Sequence, residues 1–558
     1  MATAYRDETV PLGQRVEDLL AQMTLEEKAG LMFHPPILMN PDGTTIEEDG
    51  DFLRGGTTKL IAERHLNHFN IYFAPEPRQH AEWHNRLQEI AASTRLGIPI
   101  TISSDPRHTV AEGIGASWSA GGFSAWPEPI GFGALGDVNA MEEFGDIARQ
   151  EYRAVGIHVA LHPMADLATE PRWARIMHTF GEDGELAAKL LGAYVRGFQG
   201  GELGPHSVAC MTKHFPGGGP QADGEDPHFP YGKDQVYPGG MFEYHMRVFE
   251  AAFAAGTAQI MPYYGRPIDT PLEAVGFGYN RDVITGLLRG RYGFDGVVCT
   301  DWALVSDTPM PDGSIWAAKA WGVEELSAED RVAKIIDAGC DQLGGESIPE
   351  IVIGLVESGR VSEERIDESA RRLLRDKFRL GLFDNPTVDA GEAERICGND
   401  AFRAAGERAQ RRSAVLIKND GVLPLADGAD VQIVRRNAPF EPRANGFLET
   451  VFHAGDLDFK EPELSELLEL ARSKPTVLVL HLERPAVIPE LVEACAAIVA
   501  TFGSSDEAVM DVLTGRTPPE GKLPFELPSS MDAVRAQKPD VPYDSEAPLY
   551  PFGFGLTY

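Results

Sequence analysis

Residues 296–302 combine the pattern of a buried strand with a carboxylate at its end. They read Gly-Val-Val-Cys-Thr-Asp-Trp, so an apolar run stops at Asp301 and the aromatic Trp302 follows. Continuous apolar runs are typical of parallel strands that are buried on both faces. In barrel enzymes the carboxyl ends of such strands carry the catalytic groups. A carboxylate there can attack the anomeric carbon of a sugar and form a glycosyl-enzyme, and nearby cations would keep it ionised.

Four further apolar runs end on polar or ionisable side chains. An isolated aspartate after a strand is often a helix N-cap, but the repetition of the pattern favours a functional origin. Because the carboxyl ends of parallel strands meet at one face, these side chains are predicted to converge on a polar pocket. The runs and their end groups are 99–102 with Asp105, 157–161 with Asp166, 208–212 with Lys213 and His214, and 258–261 with Tyr263 and Tyr264.

Loop segments add groups that suit sugar hydroxyls. Residues 170–175, Glu-Pro-Arg-Trp-Ala-Arg, place two arginines around a tryptophan. Residues 213–220, Lys-His-Phe-Pro-Gly-Gly-Gly-Pro, lack the spacing of a phosphate loop and favour a rigid loop around hydroxyl groups. The carboxylate of Asp105 can accept from two hydroxyls at once. The Asp226-Pro227-His228 segment can form a proton-transfer pair, although an aspartate before proline is more often a turn former.

Composition excludes several classes of function. The 558 residues predict two or three domains, and the net charge of −35 disfavours a nucleic-acid partner because phosphates would be repelled. The sequence contains no apolar run of about 18 residues, the length that a membrane-spanning helix needs, so no membrane span is expected. The first residues lack a basic segment before an apolar core, and the five scattered cysteines predict buried thiols. We therefore expect a cytoplasmic protein. We expect no metal, because no cysteines lie at ligand spacing, and no cofactor.

The order of patterns predicts an α/β protein. From about residue 59 to 382, strand-like runs alternate with helical patterns, which favours a TIM-like (β/α)8 barrel. A charged amphipathic helix over 361–382 ends this region. Further strands are predicted at 413–417, 431–434, 476–480 and 497–502, as in an α/β sandwich domain. The predicted division is a barrel over 1–385, a linker over 386–405, and a sandwich over 406–558 whose tail from 518 wraps over the surface.

With these residues in view, the chain resembles glycoside hydrolase family 3, the β-glucosidase and β-xylosidase group. The resemblance implies a (β/α)8-like barrel, an α/β sandwich, and hydrolysis with retention at the anomeric carbon. It also implies that Asp301 is the nucleophile and that Trp302 lines the first sugar subsite. The motifs that carry it are 15–20, 23–28, 104–105, 171–173, 180–183, 213–215, 292–294, 300–302, 521–524 and 551–556. The residues that it implies hold the sugar are Asp105, Arg175, Lys213, His214 and Tyr264.

The segment expected to supply the general acid/base residue differs from the family pattern. The family often supplies it from a Gly-Glu turn after a strand of the second domain. Here the matching strand, 431–434, leads into Arg-Arg-Asn-Ala-Pro-Phe-Glu without a Gly-Glu pair. Glu441 is the nearest glutamate and is predicted to be the acid/base, with Glu449 second. The alternative for Glu441 is a surface ion pair with Arg443. Smaller departures are Ala174 in place of a usual glycine, and His178 where an acid is common.

A third candidate for the acid/base is the pair Asp226 and His228. The bacterial N-acetylglucosaminidase branch of the family carries a Lys-His-Phe-Pro-Gly-His-Gly motif followed by Asp-x-His, and it uses that pair. In this chain Gly218 replaces the second histidine of the motif, and the pair lies two residues further on. His228 is also predicted to contact the substrate.

The predicted function is that of a retaining, exo-acting β-glycosidase. Terminal, non-reducing β-D-glucosides are the leading substrates, and the partner is a small glycoside or oligosaccharide. The two catalytic carboxyl groups of a retaining enzyme are expected about 5–5.5 Å apart. Three alternatives stay open: a β-xylosidase, a β-N-acetylglucosaminidase, and a sugar-binding homologue that has lost its acid. A homo-oligomer is also left open.

Overall fold

The first part of the chain forms a parallel sheet with a strand for nearly every predicted apolar run. The computed structural model describes residues 4–48, 55–73, 75–110, 117–309, 313–441, 443 and 447–558. The strands of the sheet, in chain order, are Phe33–His34 (β1), Pro36–Ile37 (β2), His68–Ile71 (β3), Thr101–Ser104 (β4), Ile157–Ala160 (β5), Ala209–Phe215 (β6), Gln259–Pro262 (β7), Val297–Trp302 (β8) and Gln342–Gly344 (β9).

This sheet closes on itself. β1 pairs with β9, and β2 pairs with β3 on the opposite edge, all in parallel register. Only Pro35 separates β1 from β2, so one short stretch of chain joins the two edges. β1 and β2 together therefore occupy one strand position, and the predicted TIM-like (β/α)8 barrel is confirmed. The carboxyl ends of the strands share one face, where barrel enzymes place their chemistry.

Helices cover the outside of the barrel, and their ends follow ordinary capping rules. A capping box is present at Thr24, because Thr24 N donates to Glu27 Oε2 at 2.9 Å and Glu27 N donates to Thr24 Oγ1 at 3.4 Å. The barrel helices are Leu12–Leu20 (α1), Leu25–Leu31 (α2), Pro77–Ala92 (α3), Pro129–Leu135 (α4), Val138–Ala154 (α5), Gly184–Gln199 (α6), Phe242–Ala254 (α7), Ala328–Ala338 (α8), Pro349–Glu357 (α9) and Glu363–Arg379 (α10), with π-helical segments at Lys59–Glu63 and Asp282–Arg291.

The second sheet matches the four strands predicted for it. Its strands are Val415–Asn419 (β10), Gln432–Asn437 (β11), Thr476–His481 (β12) and Ala497–Thr501 (β13). The order across the sheet is β10-β13-β12-β11, and the pairing of β10 with β13 is antiparallel while the others are parallel. The helices of this region are Phe447–Val451 (α13), Glu463–Ser473 (α14), Pro489–Ala494 (α15), Asp506–Leu513 (α16) and Met531–Ala536 (α17).

The stretch between the two sheets is largely helical. Residues 386–405 include Ala390–Ile396 (α11) and the start of Asp400–Ser413 (α12), and α11 packs against α3 and α5 of the barrel. The domain boundaries at 385 and 406 stay predictions. The tail returns to both parts: Leu556 N donates to Leu416 O at 2.8 Å, and Glu182 N of the barrel donates to Pro524 O at 3.1 Å. Over the described residues, no helix is long and apolar enough to cross a membrane.

Candidate active site

Asp301 ends β8 inside the barrel mouth, and one of its oxygens has no partner. Its Oδ1 accepts from Trp302 N at 2.8 Å, and its Oδ2 lies 3.7 Å from His214 Nε2. The side chain is buried, and Oδ2 has no hydrogen-bond partner within the described part of the chain. A buried carboxylate oxygen without a donor is costly unless a ligand supplies one. A substrate that reaches this oxygen would find its lone pairs unused.

His214 is held in one orientation by Asp166, which was predicted to reach the pocket but not to contact this histidine. Its Nδ1 lies 2.7 Å from Asp166 Oδ2, and Arg175 NH1 lies 3.1 Å from its Nε2. Because a guanidinium can only donate, Nε2 accepts from Arg175 and the proton of the neutral ring is on Nδ1. Burial, aided by Arg175, lowers the pKa of His214 well below its usual value. Burial also raises the pKa of Asp166 to about 6, against backbone donors that include Gly218 N.

Asp105 and Lys213 form a buried ion pair across the strand ends. Lys213 Nζ lies 3.2 Å from Asp105 Oδ1, and Asn70 Nδ2 donates to Asp105 Oδ2 at 3.2 Å. Asn70 lies inside β3, one residue before its end, and sequence reasoning missed it because no distinguishing pattern marks it. All three side chains are buried. They form a fixed set of donors and acceptors at the carboxyl ends of three strands on one face of the barrel, as sugar hydroxyls require.

Tyr264 and Trp302 are held together at the end of β8. Tyr264 Oη donates to Trp302 O at 2.8 Å and accepts from Trp302 N at 2.9 Å. The indole of Trp302 lies directly over Gly344, where an added Cβ would come within 2.7 Å of Trp302 Cε3. Glycine is thus required at the end of β9 for the indole to keep its place. Burial raises the pKa of Tyr264 well above its usual value, so the phenol stays protonated.

The Asp226–His228 pair is assembled and lies next to Tyr264. His228 Nδ1 lies 2.5 Å from Asp226 Oδ1, and Asp226 Oδ2 accepts from Trp173 Nε1 at 2.9 Å. Burial acts to raise the pKa of Asp226, but the charge and hydrogen bond of His228 hold it at about 2. The rings of His228 and Tyr264 are 4.7 Å apart between centroids. The pair therefore borders the same pocket as Asp301.

The glycine that replaces the second histidine of the family motif has a steric reason. A Cβ at Gly218 would lie 2.9 Å from Tyr263 Cε1 and 3.0 Å from Asp166 Oδ1. A side chain at this position would have to displace the carboxylate that orients His214. The loop of 213–220 thus packs against the strand-end groups, in keeping with the prediction of a rigid loop.

Glu441 lies on a segment of the second domain that is tied to the barrel. Its side chain is exposed, and its backbone N donates to Ala454 O at 2.8 Å. Buried Arg484 anchors this segment, because its guanidinium donates to Pro439 O and to Arg172 O of the barrel, each at 2.7 Å. The role of Glu441 stays a prediction.

The neighbours of Glu441 reach the loop that carries His228. Arg443 forms an ion pair with Glu225 of the barrel. Glu449 is half-buried and interacts with Tyr231, where its charge and hydrogen bond raise the pKa of the phenol beyond the effect of burial. The second domain is therefore in contact with the mouth of the barrel at this loop.

Comparisons with known proteins match one family along the chain. The model for the glycosyl hydrolase family 3 N-terminal domain matches residues 59–375, and that for the C-terminal domain of the same family matches 453–558. The chain is 48% identical to the probable beta-glucosidase C of Aspergillus flavus, covering 100% of this chain and 92% of that protein. It is 49% identical to the beta-glucosidase C of Emericella nidulans, covering 99% and 94%.

A bacterial relative and a solved structure extend these matches. The periplasmic beta-glucosidase/beta-xylosidase of Dickeya chrysanthemi is 40% identical, covering 99% of this chain and 91% of that protein. The crystal structure of the beta-glucosidase from Listeria innocua in complex with isofagomine superposes with a TM-score of 0.75 at 23% identity, covering 98% of this chain and 83% of that chain. At that identity the structural likeness supports the fold alone.

Proposed function

Because the chain belongs to glycosyl hydrolase family 3 and is a glycoside hydrolase, we propose that it removes terminal β-D-glucose from small β-glucosides with retention at the anomeric carbon. The observation that carries the proposal is the unpartnered Oδ2 of Asp301 beside His214, with the Asp105–Lys213 pair at other strand ends of the same barrel face. The names of the fungal relatives favour glucose as the sugar. The relative named for both glucosidase and xylosidase makes xylosides the second candidate.

The proposed reaction has two steps at the anomeric carbon. In the first, Asp301 Oδ2 forms a bond to that carbon while the bond to the leaving oxygen breaks, and a general acid protonates the leaving oxygen. In the second, the same group removes a proton from water, the water oxygen bonds to the carbon, and Asp301 leaves as a carboxylate. Asp105, Lys213 and the Asp166-oriented His214 would hold the sugar so that Oδ2 is aligned for attack.

We propose Glu441 as the acid/base, with the Asp226–His228 pair as the alternative. Glu441 is supported by its position on a second-domain segment that Arg484 joins to the barrel. The Asp226–His228 pair is supported by its position beside Tyr264 and by the 2.5 Å contact between His228 Nδ1 and Asp226 Oδ1. The separation of the proposed catalytic carboxyl groups would be about 5–5.5 Å in the reacting complex.

A panel of nitrophenyl glycosides tests the proposal. The β-glucoside, β-xyloside, β-N-acetylglucosaminide, β-galactoside and α-arabinoside are compared by release of nitrophenol, with NMR recording which anomer of the sugar appears first. We expect fastest release from the β-glucoside and initial formation of β-glucose. Release from none of them by folded protein would contradict the proposal and favour a sugar-binding role. Initial formation of the α-anomer would contradict retention.

We further propose a cytoplasmic location. The proposal is supported by the five cysteines, each of which is buried and free, as is usual for proteins of reducing compartments. Cell fractionation with antibody detection tests it, and recovery of the protein outside the cytoplasm would contradict it.

A further inference from the structure

A buried glutamate of the second domain holds the ring of His453, which lies close to Glu441. Glu483 follows β12 by two residues and is buried, and its Oε1 lies 2.5 Å from His453 Nδ1. Because a carboxylate accepts hydrogen bonds, the proton of this contact is on Nδ1. The side chain of His453 is 30% exposed, so the imidazole lies at the surface of the domain. The buried carboxylate therefore fixes the orientation of a ring that solvent can reach.

His453 and the two residues after it hold Phe440 and Glu441. The His453 and Phe440 rings are stacked, with centroids 3.7 Å apart and planes 8° apart. Glu441 N donates to Ala454 O at 2.8 Å. Gly455 has a φ of 85°, and a Cβ added to it would lie 2.7 Å from Glu441 Cβ. Glycine is required there for the two backbones to approach so closely. Three successive residues therefore fix the backbone that carries the Glu441 carboxylate.

Arg484, the residue after Glu483, joins this assembly to the barrel. Its buried guanidinium donates to Gly455 O at 3.1 Å and to Ala454 O at 3.2 Å. The same group donates to Pro439 O and to a backbone carbonyl of the barrel. The two segments of the second domain, 439–441 and 453–455, are thus held together by one side chain that also contacts the barrel.

Phe452 places the assembly beside the mouth of the barrel. Its ring lies 5.0 Å from the His228 ring and 5.2 Å from the Phe229 ring, between centroids. His228 in turn lies against Tyr264 of the pocket. Since Phe452 directly precedes His453, the stacked pair of rings is close to the loop that borders the pocket.

The carboxylate of Glu441 depends on such support because its side chain is exposed. An exposed glutamate keeps much of its rotamer freedom, so its position is set mainly by its backbone. A general acid must come within hydrogen-bond reach of the leaving oxygen, and a misplacement of about 1 Å can cost about 10²-fold in rate. The contacts that fix the backbone of Glu441 would therefore influence how often its carboxyl group reaches that oxygen.

We propose that His453 and Glu483 are positioning residues for the acid/base. Glu483 fixes the imidazole, the imidazole fixes the ring of Phe440, and Phe440 holds the next residue, Glu441, beside the mouth of the barrel. The inference rests on the proposed function, because it takes Glu441 as the group that protonates the leaving oxygen. His453 should then matter for leaving groups that need a proton, and only while Glu441 is present.

The test is a double-mutant cycle on two substrates. The value of kcat/KM is measured for phenyl β-glucoside, whose leaving oxygen needs a proton, and for dinitrophenyl β-glucoside, whose leaving oxygen does not. For His453→Ala we expect a fall of about 10- to 100-fold on the phenyl glucoside and less than about threefold on the dinitrophenyl glucoside. In the Glu441→Ala background the same change should cost less than about twofold on either substrate, because no carboxylate is left to position.

Variants of Glu483 test the first link of the chain. Glu483→Gln keeps an oxygen that accepts from His453 Nδ1, so it should retain most of the activity. Glu483→Ala should repeat the leaving-group pattern of His453→Ala, and it replaces that variant in the cycle if His453→Ala does not fold, as judged by a thermal melt. The matched control is His206→Ala, an exposed histidine shortly before β6 at the opposite end of the barrel, which should leave both rates unchanged.

Three outcomes would overturn the inference alone. Losses that multiply in the double variant would show that His453 acts independently of Glu441. Equal losses on both glucosides would indicate general damage to the domain contact, and unchanged rates on both would leave the stacked ring without a role in catalysis. Failure of the proposed acid/base is recognised separately, by a Glu441→Ala variant without the leaving-group pattern, and it would overturn this inference as well.

Discussion

The strand-end wall and the loop wall of the pocket differ in how completely their side chains are satisfied. On the strand-end wall, Asp105, Asp166, Lys213 and His214 are buried and each has a partner within hydrogen-bond distance, whereas Oδ2 of Asp301 has none among the described residues. On the loop wall, formed by the residues that follow β8, Lys319 is buried without a hydrogen-bond partner in the described part of the chain. The strand-end wall is preorganised before a ligand arrives, which is the condition under which fixed dipoles act most strongly on a reacting centre.

This difference separates two tasks. The strand-end wall would hold the sugar ring that all substrates share, so changes there should affect every substrate alike. The other wall would meet leaving groups, which vary, and the segment of the second domain that Arg484 joins to the barrel would lie beside it. Changes there should affect substrates according to their leaving groups. Domain packing would then influence the choice of leaving group more than the choice of sugar.

The largest expected effect is that of Asp301→Asn, because it removes the nucleophile of the preorganised wall. We expect kcat to fall by at least about 10⁴-fold on every glucoside, with the melting temperature within a few degrees of the wild type. The measurement is glucose release beside a thermal melt. The matched control is Asp295→Asn, just before the start of the same strand, where an exposed carboxylate pairs with Arg372 and Arg375. Near-normal turnover by Asp301→Asn would show that the nucleophile lies elsewhere.

A smaller and more selective effect is expected at the acid/base. Glu441→Ala should lower kcat/KM by about 10²- to 10⁴-fold for poor leaving groups, and much less for dinitrophenyl glucoside, whose leaving oxygen needs no proton. Added azide should restore turnover and yield glucosyl azide. Glu449→Ala and His228→Ala serve as parallel variants. If His228→Ala gives the leaving-group pattern and Glu441→Ala does not, the acid/base belongs to the barrel loop, and domain packing is less important than proposed.

The sequence could predict the strand-end wall because each of its parts is local. An apolar run followed by a polar residue specifies both a buried strand and the group at its tip, which is why the barrel and the convergence of Asp105, Lys213, His214 and Asp301 followed from short stretches. The loop wall could not be predicted in the same way. Lys319 lies 18 residues after Asp301 in an irregular loop, and no period of two or 3.6 residues marks where it folds back to the strand end.

Contacts between parts of the chain that are distant in sequence could not be predicted from local patterns either. Asp166 was noted only as a strand-end residue, because its bond to His214 depends on how two neighbouring strands align. The segment 386–405 was predicted as a linker after the charged helix over 361–382, and helix α11 within it packs against α3 and α5 of the barrel. The place of Glu441 depends on the packing of two domains, which no local pattern encodes.

The smallest expected effect concerns the contact between the barrel and the C-terminal tail, away from both walls. Buried Glu182 accepts from Glu526 N at 2.7 Å and Tyr543 N at 2.8 Å, and burial raises its pKa to about 8. A carboxyl group whose pKa is higher in the folded than in the unfolded chain contributes stability at low pH. That contribution is fully present below about pH 4.5 and is lost as pH rises through about 8, at no more than about 1.4 kcal/mol per pH unit.

Glu182→Gln should remove this dependence, because the amide stays neutral at every pH. Between pH 6 and pH 9 we expect the melting temperature of the wild type to fall by a few degrees more than that of the variant, as measured by calorimetry at constant ionic strength. Glu185→Gln is the matched control, since Glu185 is an exposed residue on helix α6 that pairs with Lys189. Parallel curves for wild type and Glu182→Gln would mean that the two backbone donors keep Glu182 ionised throughout. The C-terminal tail would then stabilise a buried carboxylate as the strand-end wall does. The contrast between regions whose buried polar groups have partners and regions whose buried polar groups lack them would then extend to the contact between the barrel and the tail.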